Sequence, residues 1–313
     1  MSEKRATREA YGATLIELAG EGVPVVAVDA DLSGSTTTAK FGAAYPDRLF
    51  NVGIAEQNMI GTAAGLAVGG KVAFTGSFAV FATGRAYDQI RNTVCYSNLN
   101  VKVAPTHAGV TVGPDGGSHQ MLEDIALMRV LPGMRVLVPA DAVAARAAIR
   151  VAATTPGPFY VRLGRTAVPV IYGDDYTFEL GKARVLREGA HVTLAACGVM
   201  VEQALAAAEE LEREGVYAEV LDVSTIKPLD AATITSSALK TGAVVTCEEH
   251  SIIGGLGSAV AEVLGELAPT PLVRIGVRDV FGTSGEPAEL MAHFGLMGAD
   301  IASAARDLLA RRG

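Results

Sequence analysis

The segment NVGIAEQNMIGTAAGLAVGG sets Glu56 at the entrance of an apolar, small-residue helix, with Gly53 before it and Ala63, Ala64 and Gly65 beyond. A carboxylate in that position either complements the positive end of the helix dipole or exchanges a proton with a ligand, and the local sequence leaves both readings open. Phe78 and Phe81, three apart just after a strand-like run, offer flat faces to an aromatic ligand or pack in the core. In GPDGGSHQ, Asp115 and His119 flank a pair of glycines. Asp-Gly-Gly makes a good plain turn, but His119 differs in context from the other four histidines: it sits in a loop that leads into a helix.

Such residues need a scaffold that brings distant loops together. Strand-like runs at 23–30, 71–77, 100–106, 134–140 and 158–164 alternate with helical stretches at 56–67, 85–94, 119–131 and from about Asp141. That rhythm predicts an α/β, doubly wound, mostly parallel sheet covered on both faces. The pattern lapses after Arg165 through TAVPVIYGDDYTFELG, which predicts a linker. A smaller α/β unit follows, with strands at 191–198, 217–224, 242–249 and 272–277, a long helix over 200–215 and a closing helix. The expected domains are residues 1–170 and 178–313.

In open α/β sheets, ligands collect beyond the carboxyl ends of the strands. In the first unit those ends carry Asp29, Asp31 and Ser35, then Phe78 and Phe81, His107 and Asp115, and Arg165. In the second they carry small residues plus Glu248, Glu249 and His250, so the chemistry is expected in the first. Two motifs are read as loops: GGLGSAV (254–260) lacks the third glycine of a dinucleotide fingerprint, and YGDDY (172–176) is too degenerate for a metal site.

At 313 residues, half of them hydrophobic and 19% charged, the chain suits two folded domains rather than a disordered or fibrous protein. The net charge is −8 and no basic cluster stands out, which argues against nucleic acid as a partner; an anionic ligand has to be held locally. No apolar run reaches the roughly 20 residues of a membrane helix, and MSEKRATREA has no signal-peptide core, so a cytoplasmic protein with no membrane partner is expected. Cys95, Cys197 and Cys247 are far apart and lack metal-ligand spacing, and are expected to be reduced, buried thiols.

Taken in order, ATREAYGATLIEL, GIAEQN, KVAFTGSFAVFATGRAYDQIRN, PTHAGVTVGPDGGSHQMLED and EEHSIIGGLGSAVAE resemble the transketolase family, and the likeness runs from Arg8 into the second unit. It implies a pyrimidine-binding domain followed by a C-terminal domain, with thiamine diphosphate as cofactor. Glu56 would hydrogen-bond a ring nitrogen of the aminopyrimidine and promote the imino tautomer whose exocyclic nitrogen deprotonates the thiazolium carbon. The carboxyl would then share a proton with a ring nitrogen, a distance aspartate is too short to span. Phe78 and Phe81 match the aromatic pocket around that ring. Where the family often has a third aromatic residue this chain has Gly84, which leaves one wall unassigned.

The same resemblance matches Asp115 to an aspartate that recognises a sugar hydroxyl and His119 to a histidine near the reacting centre. Arg8, Ser35, His107 and Arg165 match positions that hold the phosphate of a sugar phosphate. Arginine suits that task because its planar fork donates paired, charge-assisted hydrogen bonds. The residue before the family's glutamate, arginine in many single-chain transketolases, is Ala55, closer to the split and synthase branches.

In this superfamily magnesium or calcium pyrophosphate is gripped by a Gly-Asp-Gly motif on another domain, its oxygen ligands suiting a hard cation. The sequence contains no Gly-Asp-Gly. The resemblance therefore implies a separate N-terminal transketolase subunit, an α2β2 assembly, and transfer of a two-carbon ketol unit between sugar phosphates. The second domain is expected to serve contacts. Alternatives are a 1-deoxyxylulose-5-phosphate synthase-like enzyme, whose IAEQ and RAYDQ stretches are close to those here, the beta subunit of a 2-oxo acid dehydrogenase, and a scaffold without chemistry.

Overall fold

The structure, a computed structural model, describes residues 3–311. The first half runs β1 (Lys4–Ala6), α1 (Glu9–Gly20), β2 (Val25–Asp29), α2 (Ser33–Thr36), α3 (Thr38–Ala44), β3 (Leu49–Asn51), α4 (Glu56–Val68), β4 (Val72–Gly76), β5 (Val101–Val103), α5 (Asp124–Arg129), β6 (Arg135–Leu137), α6 (Ala142–Thr154), β7 (Phe159–Val161) and β8 (Ala167–Pro169). The second runs β9 (Arg184–Arg187), β10 (Val192–Ala196), α7 (Met200–Arg213), β11 (Ala218–Asp222), β12 (Thr225–Lys227), α8 (Ala231–Thr241), β13 (Val244–Ser251), α9 (Leu256–Leu267), β14 (Leu272–Val277), α10 (Pro287–His293) and α11 (Gly298–Ala310).

Six of these strands form a parallel sheet in the order β6-β7-β5-β4-β2-β3. Every residue of β2 (VVAVD) and β4 (VAFTG) is buried, as continuous apolar runs in a doubly covered sheet should be. A seventh strand, β12, comes from the other half of the chain and pairs antiparallel with β6. Lys227 fixes it there by donating from Nζ to the Arg129 and Leu131 carbonyls at the end of α5. The second sheet has the order β14-β13-β10-β11-β9, parallel except for β9. One apolar cluster runs through both halves, from Val136, Val138 and Tyr160 to Leu221, Ile226 and Leu256.

The doubly wound reading holds, with four local corrections. Residues 85–94, expected as an ordinary helix, bridge two wide, π-type turns, Val80–Arg85 and Gln89–Cys95, with a short break in that winding at 86–88. The helix expected over 119–131 is only Asp124–Arg129, because the preceding residues stay in the loop that carries His119. GGLGSAV opens α9 rather than forming a loop, since Glu248 accepts the free N–H groups of Leu256 and Gly257 at the helix start. Glu248, Glu249 and His250 are buried within β13 rather than beyond its end.

Asp141 caps α6 by accepting from Ala144 N, and its other oxygen accepts from Ile171 N and Tyr172 N, so the cap also fastens the linker. All three cysteines are buried and free. Among the described residues no helix is long and apolar enough to cross a membrane, and no cluster of His, Cys, Asp and Glu could hold a metal.

Candidate active site

The residues singled out above gather beyond the carboxyl ends of β2, β4, β5 and β7. Glu56 is the first residue of α4 and is nearly buried. The approach to it is shaped by Asn51, whose Oδ1 accepts from the N–H groups of Gly53 and Asp31. Glu56 forms one wall of an open cleft of about 470 Å³ lined also by Ile54, Ala55, Gln57, Asn58 and Arg85. Arg85 reaches in to donate from Nη1 to Glu56 Oε1 at 3.3 Å.

From Glu56 the contacts continue ring by ring. The guanidinium of Arg85 lies 4.2 Å from the Phe81 ring centre. Phe81 and Phe78 are 6.0 Å apart and nearly parallel, at 14°. His119 stands edge-on to Phe81 at 5.3 Å, with Ser118 Oγ 2.9 Å from its Nδ1. Phe78 stacks on His107 at 3.8 Å, which carries the chain of contacts to the anion-binding candidates.

His107 sits in the left-handed backbone region at φ 61°, a conformation uncommon outside glycine that is held here by its surroundings. Its Nε2 is 3.5 Å from Arg8 Nη1 and its Nδ1 is 2.7 Å from Thr106 Oγ1. Arginine can only donate, so Nε2 carries the lone pair and the ring proton is on Nδ1. Burial first, then the charges of Arg8, Arg165 and His119, push the imidazole down to about 3, so it is neutral at physiological pH. Arg8 is itself shifted down, by burial and by the nearby charge of Arg165. Two guanidinium groups near enough to repel each other suit an anion between them.

Ser35 is held at this end because Asp29, buried at the end of β2, accepts from Thr36 Oγ1, Thr38 Oγ1 and Leu32 N. The Ser35 group that meets Arg8 is its backbone carbonyl, which accepts from Nη1 at 2.9 Å. Arg165 Nη1 donates to the Val112 carbonyl at 2.8 Å and to Asp115 Oδ2 at 3.3 Å. The expected sugar-hydroxyl and phosphate residues are thus paired with each other.

The loop bearing Asp115 rests on the second half of the chain, a support that the sequence reading missed. Glu249 Oε1 accepts from Thr111 N at 2.6 Å, and its carbonyl accepts from Arg162 Nη2 at 2.9 Å. Arg162 in turn holds Asp124 through two hydrogen bonds, and Tyr160 donates to the same carboxylate. Burial pushes the Glu249 carboxyl up, against the pull of Arg162 and the Thr111 N–H. Gly109 (φ 82°) lies so close that a Cβ there would strike the Glu249 carboxylate. On the outer side, a Cβ at Gly117 would strike the Gly282 carbonyl, and Gln120 donates to the Thr283 carbonyl. The consecutive acids in VVTCEEH, inside an otherwise apolar run, were the available signal.

Known proteins resemble this chain along most of its length. The family model for the transketolase pyrimidine binding domain matches residues 3–170, and that for the transketolase C-terminal domain matches residues 181–301. A protein of Methanocaldococcus jannaschii described as a transketolase C-terminal section is 50% identical over 301 residues, 95% of this chain and 94% of that one. The 6-deoxy-6-sulfo-D-fructose transketolase subunit SqwH of Clostridium sp. (strain MSTE9) is 46% identical over 310 residues, 99% of this chain and 96% of that one. A solved structure described as "Split gene transketolase, inactive beta4 tetramer" superposes with a TM-score of 0.91 at 52% identity, covering 98% of this chain and 99% of that one. With two family models spanning most of its length and relatives of matching size at such identities, the chain belongs to the transketolase family.

Proposed function

We propose that this chain is a subunit of a thiamine-diphosphate-dependent transketolase, supplying the pyrimidine and substrate side of an active site that a second chain completes. The reaction is transfer of a two-carbon ketol unit between phosphorylated sugars. The observation that carries the reading is the unbroken line of contacts from Glu56 through Arg85, Phe81, Phe78 and His107 to Arg8, which links a carboxyl at one end to an anion clamp at the other.

The residues fit the cofactor's pyrimidine end: a nearly buried carboxyl beside two almost parallel phenyl rings suits a flat ring with a basic nitrogen. When bound, thiamine diphosphate supplies the thiazolium carbon that carries the two-carbon unit. Glu56 would hold a proton at the ring nitrogen, and Phe78 and Phe81 would flank the ring and keep water away. His119 would serve the reacting centre and Asp115 a sugar hydroxyl. Arg8, Arg165 and Ser35 would bind the terminal phosphate, and neutral His107, accepting from Arg8 at Nε2, would orient that guanidinium rather than add charge.

The magnesium- or calcium-bound pyrophosphate is assigned to an N-terminal partner subunit carrying Gly-Asp-Gly, in an α2β2 assembly. Supporting this are relatives of matching length that are themselves named as a subunit and a C-terminal section.

The test is ketol transfer from xylulose 5-phosphate by this chain alone, by the partner alone and by the two together. Activity is expected only from the pair, and Glu56→Ala in the pair should cost on the order of 10² or more in turnover with assembly intact. Transfer by the lone chain sinks the split-subunit reading. An unchanged rate in Glu56→Ala makes Glu56 a helix-start acid and nothing more.

A further inference from the structure

Arg85 was not singled out by the sequence, yet it touches two residues that were. Its Nη1 donates to Glu56 Oε1 at 3.3 Å, and its guanidinium carbon lies 4.2 Å from the Phe81 ring centre. The side chain of Glu56 is 5% exposed and that of Arg85 is 55% exposed, so the guanidinium closes over the carboxyl from the solvent side.

A guanidinium is planar and delocalised and presents N–H donors along its edge. A ring held by the same two residues would need the same properties: a flat face for Phe81 and a nitrogen edge for Glu56. We propose that Arg85 is a stand-in for the cofactor's aminopyrimidine, occupying the ring's place in the free chain and swinging out when thiamine diphosphate enters. This rests on Glu56 and Phe81 being the pyrimidine contacts, as set out under Proposed function.

The local structure suits a movable side chain on a fixed backbone. Gln57 Nε2 donates to the Arg85 carbonyl at 3.1 Å, and Arg85 closes the wide turn Val80–Arg85. The neighbouring Gly84 has no side chain, a Cβ there would meet nothing within 4 Å, and the Arg85 side chain is itself half-exposed, which leaves it room toward solvent. While no ring is bound, Arg85 keeps a nearly buried carboxylate paired, which matters because an unpaired buried charge is costly. Being half-exposed, both of its contacts are weak, so the cofactor can displace it at a modest loss of affinity.

Isothermal titration of thiamine diphosphate with magnesium into the reconstituted two-subunit complex tests this. Arg85→Ala is expected to lower the apparent Kd about 3- to 10-fold. Arg85→Lys, which keeps the charge and loses the plane, should fall between wild type and Arg85→Ala. An unchanged Kd in Arg85→Ala overturns the proposal, and a raised one overturns it by making Arg85 a wall of the loaded site. Turnover of Glu56→Gln in the same complex separates the two layers. If it stays at the wild-type rate, the site assignment itself fails; if it collapses, a null result at Arg85 counts against the stand-in alone.

Discussion

His107 is the residue on which the cleft turns, because its ring lies on Phe78 while its Nε2 faces Arg8. Pushed down to about 3 from an ordinary value near 6.5, it stays neutral in the native state where the unfolded chain would take up a proton. Between those two values the native state binds fewer protons than the unfolded one, so stability falls as pH drops through the window and is untouched above it. His107→Gln abolishes this difference. Its unfolding free energy is expected to drop less than that of wild type between about pH 6.5 and pH 4.5, by about 1–3 kcal/mol in urea titrations at each pH. Parallel acid limbs would show that other groups set the acid sensitivity.

Among the elements, β13 does more than build the second sheet, since Glu249 reaches across to hold Thr111 at the start of the Asp115 loop. Glu249→Gln keeps an oxygen for the Thr111 N–H, whereas Glu249→Ala leaves that N–H bare and should cost about 1–3 kcal/mol of stability. The alanine variant is expected to raise KM for phosphorylated donors roughly 10-fold with a smaller change in kcat, because Asp115 and Arg165 lose their backing while Glu56 does not. Equal losses in KM and kcat would place the damage at the reacting centre instead. The strands that position the site were legible because VVAVD and VAFTG are buried on both faces and carry their pattern locally. β12 was not: Thr225, Ile226 and Lys227 are too few for a pattern, and their partner β6 lies far back in the sequence. Arg85 was hidden for the same reason, and Glu249, though its acid pair stands out in VVTCEEH, gave no sign of its partner, since both residues act through contacts that spacing does not show. The π-type turns of 80–95 have a helical composition, and only their wider winding sets them apart.

At the scale of the whole molecule, the two sequence units share one core. The cluster that contains Val136, Val138 and Tyr160 also contains Leu221, Ile226 and Leu256, so one half cannot lose its packing without stripping the other. Heat unfolding is expected to give a single calorimetric transition, and Ile226→Ala, which empties a buried site in the joining strand, should lower stability by about 2–4 kcal/mol without splitting it. Two resolved transitions would show that the halves fold independently.

The strand β12 also decides where the chain can be cut. β6 has β7 on one side and β12 on the other, and the second neighbour is contributed from beyond the linker. A fragment ending in the Tyr172–Tyr176 stretch would present β6 as a bare edge, with unpaired backbone groups that recruit the same edge of another copy. The most visible seam in the sequence is thus the wrong place for scissors: an isolated first half is built to aggregate, and a shortened version of this protein has to keep Thr225–Lys227.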